Sequence, residues 1–387
     1  MIRKLFKRAT AVLLILLLLQ AAAVGAFAAD TRCSSWAELY LSDAKRMFIP
    51  EDLRDLDFTR PISRLELAEM AYGAMGYMTG YYDYYSGLKA ANVKGENYFD
   101  THGYEMPRRY PDAPENSPFT DTDSTAAAAL NACGILLGRG DRCYCPDDSL
   151  TRQEAATVLS RMAAYFDLQV FPFETAFTDT VQIADWAKDG IRTVCGMGLM
   201  VGMGDGTFSP ETPMTCEQTA ATLVRLIDSI PYLLNETAVA DGLSSSFNFI
   251  WMWVENEARE PVFCLPCYWG TYHYRTDYGY NSWNFLTHGR KTLCAAWGRA
   301  APSETESHTT IFDISTGEAV VSYGGDAGYY YCLTVDQEAV VLSKTVMGRE
   351  YGDWGTEYYG VYGFDGREIL PTAYTWEELC EAGYVNP

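Results

Sequence analysis

Histidine is scarce in this chain, with four in 387 residues. A metalloprotease or a histidine-based triad has little to draw on, and neither His-Glu-x-x-His nor Gly-x-Ser-x-Gly occurs. His102, His273, His288 and His308 are scattered and read as surface residues. Positive charge is scarce as well: 29 Lys and Arg stand against 51 Asp and Glu, a formal net charge of −22. Nucleic acid and anionic membranes both need a basic footprint, so neither is an expected partner. Beyond Ala29 no apolar run reaches the ~20 residues of a bilayer span. Hydrophobic residues still make up 48% of the chain, enough for packed cores and against wholesale disorder. The expectation is a protein with no catalytic set, no cofactor and no metal centre.

What is present begins with Arg3, Lys4, Lys7 and Arg8, then an apolar run from Ala11 to Ala26, then Ala26-Phe27-Ala28. Basic, apolar and small residues in that order make a secretory signal peptide, taken as residues 1–29. The leader carries four basic residues and no acidic one, which leaves the exported remainder near −26. Export permits disulfides. The eleven cysteines include two close pairs, Cys143-x-Cys145 and Cys264-x-x-Cys267. A Cys264–Cys267 bridge is the pairing expected. A zinc centre would need two pairs at finger-like spacing, or histidines. Cys133, Cys195 and Cys216 fall in helical stretches and read as small buried hydrophobes.

The first two thirds repeat. A shift of 64 residues carries Gly134 onto Gly198, Gly138 onto Gly202, Gly140 onto Gly204 and Asp141 onto Asp205. The same shift carries Pro146 onto Pro210, Thr151 onto Thr215 and Arg161 onto Arg225. One unit reads as helix, glycine-rich loop, helix. Phe119-Thr120-Asp121 and Phe177-Thr178-Asp179 place an aspartate as an N-cap before the first helix. Gly134 and Gly198 close that helix, and the glycines that follow supply positive-φ turn positions. Capping boxes open the second helix: Thr151 with Glu154, Thr215 with Gln218, and earlier Ser63 with Glu66. The earliest copy has no glycine loop, and its first helix is expected near Trp36–Phe48.

These residues resemble the S-layer homology family, whose pattern is a Phe-x-Asp opening, a helix with a Trp, a Gly-x-Gly-Asp-Gly-x-Phe-x-Pro loop and a Thr-Arg-Ala-Glu box. The match is fullest at Phe177–Asp179, Trp186, Gly202–Gly206, Phe208, Pro210 and Thr215, with boxes at Thr151–Glu154 and Ser63–Glu66. The resemblance implies three repeats, at 33–76, 119–168 and 177–230. It implies a pseudo-threefold helical bundle that holds secondary cell-wall polymer non-covalently, often through a pyruvylated sugar, in the wall or S-layer of a bacterium. Carried over by motif, Arg64 and Arg152 would face the ligand's carboxylate, since a guanidinium offers a charged bidentate fork. Asp121 and Asp179 would bond sugar hydroxyls or the loop backbone, and Trp186 would stack on a sugar. Gly138, Gly140, Gly202 and Gly204 would line the grooves. Cys216 stands where the third arginine belongs, and Arg142, Cys143 and Cys145 alter the second loop. One or two competent grooves are expected, not three.

Between the first two repeats, residues 77–118 form a Tyr-rich insert expected to be a surface loop. After Pro231 the pattern turns to short alternating stretches, so 232–387 is expected to be a mostly antiparallel β domain. The fold class is thus α + β multidomain, an all-α bundle followed by β structure. Hairpins are expected at 309–323, 330–344 and 359–370, with a closing helix at 376–382. The stretch Tyr359–Pro371 resembles a WG-type β-repeat, though the domain is short for a full propeller. Its tryptophans offer a glycan or a partner protein a surface, while most should be core. Glu255 and Glu257, beside Trp251 and Trp253, are the nearest approach to a glycosidase pair, at a spacing that also marks an exposed strand face.

Overall fold

The computed structural model describes residues 32–94, 107–171, 177–231, 237–240, 242–248, 251–266, 279–288, 291–299, 308–324, 330–336, 339–346, 356–363 and 367–384. The signal peptide and Cys267 lie outside them. No described helix is long and apolar enough to cross a membrane.

The helical part is built of three helix–loop–helix units. In the first, a 3-10 turn at Ser35–Ala37 leads into α1 (Glu38–Met47), and α2 (Arg64–Lys94) follows. The second pairs α3 (Thr125–Ala132) with α4 (Arg152–Tyr165). The third has a 3-10 turn at Asp185–Ala187, then α5 (Lys188–Gly196) and α6 (Cys216–Asp228). All three boxes close reciprocally: Ser63 with Glu66, Thr151 with Glu154, Thr215 with Gln218. Gly134 and Gly198 end α3 and α5 at φ +72° and +73°, a conformation that glycine adopts without a Cβ penalty.

Backbone hydrogen bonds join the units into a closed ring. The Ile62 N–H donates to Met214 C=O (2.9 Å), Met214 N–H to Leu150 C=O (2.8 Å), and Leu150 N–H to Ile62 C=O (3.2 Å). All three side chains are fully buried. An unpaired amide at such a centre would cost about 1–3 kcal/mol, so each unit depends on the next. A second set of contacts repeats the order. Glu69 accepts from the Ser124 hydroxyl (2.8 Å), Gln153 from the Ala184 N–H (3.0 Å), and Glu217 from the Ser34 N–H and hydroxyl (2.9 Å each). Each box helix thereby seats the entry of the next unit's first helix, and the third seats the first. One hydrophobic cluster runs through all three.

The Tyr-rich insert departs from expectation. Helix α2 runs on for 31 residues to Lys94, and the chain returns along it. The Arg109 N–H donates to Gly76 C=O at 3.0 Å, and Tyr110 packs on Tyr72 at 4.9 Å. The cause is a bare helix face, because a Cβ at Gly80 would collide with the Pro107 carbonyl.

The β part is three successive antiparallel meanders. The first is β1 (Thr237–Ala240), β2 (Leu243–Phe247), β3 (Trp251–Asn256) and β4 (Pro261–Pro266). The second is β5 (Gly279–His288), β6 (Lys291–Arg299), β7 (His308–Asp313) and β8 (Ala319–Gly324). The third is β9 (Tyr330–Asp336), β10 (Ala339–Val346), β11 (Thr356–Gly363) and β12 (Glu368–Tyr374). All three expected hairpins pair antiparallel, and α7 (Trp376–Glu381) follows them. Met252, Val254, Phe263 and Leu265 of the first sheet pack on Cys294, Ala296 and Phe312 of the second. Among the described residues the three four-stranded meanders follow in series, the arrangement of propeller blades. Phe171 connects the two parts, packing at a tilt on Trp251 (5.1 Å) and edge-to-face on Trp253 (5.7 Å).

Candidate functional site

Arg64 and Arg152 are buried, and each clasps the loop of the following unit. Arg64 donates from Nε to Tyr144 C=O (2.8 Å) and from NH2 to Leu137 C=O (2.9 Å). Arg152 donates from Nε to Phe208 C=O (2.8 Å) and from NH2 to Val201 C=O (2.8 Å). Each guanidinium also lies 4.8 Å from the ring whose carbonyl it holds. The shift of 64 residues maps one set of partners onto the other. Burial lowers the pKa of Arg152, because the charged form gives up water.

The aspartates work on the same loops, which corrects the N-cap reading. Asp121 accepts from the Tyr144 N–H (2.8 Å) and Cys145 N–H (2.7 Å), and Asp179 from the Phe208 N–H (2.9 Å) and Ser209 N–H (2.7 Å). Two orphan loop amides offer a carboxylate more than one helix amide does, and Ser124 caps α3 instead. The Tyr144 amide, then the Cys143 thiol and the Cys145 amide, draw the Asp121 pKa down to about 2. Gly140 and Gly204 take positive φ as expected, whereas Gly138 and Gly202 are glycine for space. A Cβ there would press on Phe119 and Phe177 respectively.

Two grooves result, with the same frame. The first, about 190 Å³, is bounded by Arg64, the loop through Gly138 and Arg139, Glu154 and Arg161 of α4, and Trp186. The second, about 260 Å³, is bounded by Arg152, the loop through Gly202 and Met203, Gln218 and Arg225 of α6, and Trp36. Every lining position of one has its counterpart in the other, the tryptophan always coming from the next unit in the ring. Trp36 and Trp186 are 48% and 58% exposed, unlike the core tryptophan Trp253 at 1%. Charge separates them. Glu154 pairs with Arg139 at 2.9 Å and lies 3.9 Å from Arg64. Gln218 holds its place in the second groove, where Arg152 and Arg225 have no carboxylate within ion-pair reach among the described residues. Arg225 is instead oriented by the Tyr40 hydroxyl and Leu199 C=O.

The third place is filled. Cys216 is completely buried, and burial pushes its thiol up to about 12. Where α4 and α6 carry Arg161 and Arg225, α2 has Gly73, and a Cβ there would strike the Phe48 carbonyl. The first unit, lacking a glycine loop, lays the end of α1 directly on α2. Trp36 and Arg225 are groove residues that motif transfer missed; the equivalence of Trp36 with Trp186 was the available signal.

In the β part, Glu255 is buried rather than on an exposed face. It accepts from Trp253 Nε1–H at 2.9 Å and lies 3.5 Å from Arg259. With Glu257 it borders a depression of about 590 Å³. Cys264 is a half-buried free thiol, and its expected partner lies outside the described residues.

Comparison with known proteins places this geometry. Residues 176–220 match the S-layer homology domain. The chain is 32% identical over 118 residues to a cell surface protein of Thermoanaerobacter kivui, covering 29% of this chain and 15% of that protein. It is 27% identical over 103 residues to a surface layer protein of Brevibacillus choshinensis, covering 26% and 9%. It is 28% identical over 130 residues to an endoglucanase of Bacillus sp. (strain KSM-635), covering 32% and 14%. The chain thus spans a small fraction of the length of the relatives it matches. An S-layer homology domain and surface-layer relatives locate the protein at a bacterial cell wall or S-layer.

Proposed function

We propose that all three helical units are S-layer homology repeats and that they anchor an exported surface protein to an anionic secondary cell-wall polymer. The polymer occupies the two grooves, and the C-terminal β part is displayed without catalysis of its own. The observation that carries the reading is the pair of equivalent grooves, each offering arginine charge beside an exposed tryptophan in a chain of net charge −22. Arginine donors fit a carboxylate such as that of a pyruvylated sugar, and the indole fits a sugar face. Arg64 and Arg152 first fix the loop and then present their remaining N–H edge to the groove. Asp121, Asp179 and the loop glycines shape the groove from behind, and Trp186 and Trp36 close it. The β part offers a surface to a glycan or a protein.

Co-sedimentation of the mature chain with purified walls tests this. Binding to native walls and its loss on walls stripped of secondary polymer is the expected result; equal binding to both contradicts it. A second reading, a wall-anchored hydrolase, draws on the buried Glu255 beside its depression. Glu255 is already engaged by Trp253 and Arg259, which suits a structural carboxylate better than a proton donor. Turnover of wall glycan or peptide by the full chain, abolished in Glu255→Gln, would establish that second reading in place of the first.

A further inference from the structure

Among the positions where the second loop departs from the third, two replace a hydroxyl with a thiol. Cys143 and Cys145 stand where the third loop has Thr207 and Ser209. In the third loop those hydroxyls face each other at 2.9 Å, and in the second the thiols face each other at 3.3 Å. The convergence is therefore a property of the loop's backbone: Cys145 and Ser209 share a left-handed φ, +58° and +56°. Asp121 completes the cluster, with Oδ2 3.0 Å from Cys143 Sγ, and one ligand atom from each residue lies within 4.8 Å of the others.

We propose that Asp121, Cys143 and Cys145 form a binding site for a thiophilic divalent cation of the zinc class. The donor set is two sulfurs and one oxygen, which selects against calcium and magnesium, cations that take oxygen ligands. Tetrahedral bonds of about 2.3 Å to sulfur and 2.0–2.2 Å to oxygen set the ligand atoms roughly half an ångström further apart than they stand here. Rotation of two half-exposed side chains supplies that widening. The carboxylate is positioned in advance by the Tyr144 and Cys145 amides, so the cation meets a fixed oxygen. On binding, both thiols release their protons to solvent and the cation takes the place of the Cys143 S–H on Asp121 Oδ2. The cluster faces solvent, which leaves the fourth position for water or an external ligand. The cluster adjoins a strained residue, since Arg142 holds φ +60° where the third loop has Gly206. It also lies behind the first groove, because Tyr144 between the two cysteines is the residue Arg64 clasps.

Cobalt(II) titration of the reduced mature chain under anaerobic conditions tests the proposal, which does not rest on the anchoring function. The expected result is one cobalt per chain with a thiolate-to-metal charge-transfer band that zinc abolishes by displacement. The double variant Cys143→Thr, Cys145→Ser installs the sister loop's own pair and so keeps the fold; it should remove the band. Asp121→Asn should weaken cobalt binding at least tenfold while the band persists. Absence of the band in the reduced chain would overturn the proposal, as would its survival in the double variant. So would anaerobically isolated protein in which Cys143 and Cys145 are already joined as a disulfide.

Discussion

The two grooves share a backbone frame and differ in charge. Arg139 and Glu154 of the first answer to Met203 and Gln218 of the second, so the first holds an internal ion pair and the second does not. The frame is set by the buried arginine, the aspartate and the loop amides, none of which differ. Charge at the rim can therefore vary without moving the scaffold. The filled third place teaches the converse. There the loop is gone, and with it both arginines: Cys216 and Gly73 stand in their stead. A buried guanidinium is stable only where carbonyls receive it.

The largest effect is expected where that rule is broken. Cys216→Arg should restore no groove and should destabilise the chain by about 3 kcal/mol or more, because the charge would be buried without acceptors. Denaturant titration measures it, and a stable variant with an added polymer site would contradict it. Next, Arg152→Ala leaves the carbonyls of Phe208 and Val201 without their donor and should cost about 2–4 kcal/mol, with Arg152→Lys intermediate. Smaller again, Gln218→Glu keeps the capping box but brings a carboxylate to the second groove. Polymer affinity there should fall about threefold, on the order of 0.5–1 kcal/mol, and Glu154→Gln should raise it at the first groove by a similar factor. Calorimetry on each variant measures both.

The smallest effect concerns pH. The hydrogen bonds to Asp121 lower its pKa to about 2, below the ordinary carboxylate value near 3.9. The stabilisation is therefore present above pH ~4 and is lost as pH falls through the folded value near 2. Protection of the Tyr144 and Cys145 amides, measured against the intrinsic exchange rate at each pH, should fall across that window, and Asp121→Asn should show lowered protection already at neutral pH.

Much of the helical part was legible in the sequence, because caps and positive-φ glycines are local signals. Thr151 with Glu154 and Gly134 with Gly198 announce helix ends wherever they stand. The roles of Arg64 and Arg152 were legible only in part. Their position after the cap marked them as more than caps, yet their partners lie on the next unit's loop, some 50 to 80 residues away. Asp121 and Asp179 imitate an N-cap locally and serve a loop more than twenty residues on. The insert misled for a different reason: residues 77–118 were expected as a surface loop, whereas their first part continues α2, where Gly76 and Gly80 clear room for the returning chain. Glu255 looked exposed because strand alternation says nothing of an indole two residues away that covers the same face.

On the proposed function, two grooves, and not three or one, hold the wall polymer. Calorimetric titration of the mature chain with soluble polymer fragments tests it most directly, alongside Trp36→Ala, Trp186→Ala and the double variant. Both tryptophans are about half exposed, so melting temperatures should hardly change. Two fragments per chain are expected, one in either single variant and none in the double. A stoichiometry of one or three, or undiminished binding by the double variant, would contradict it.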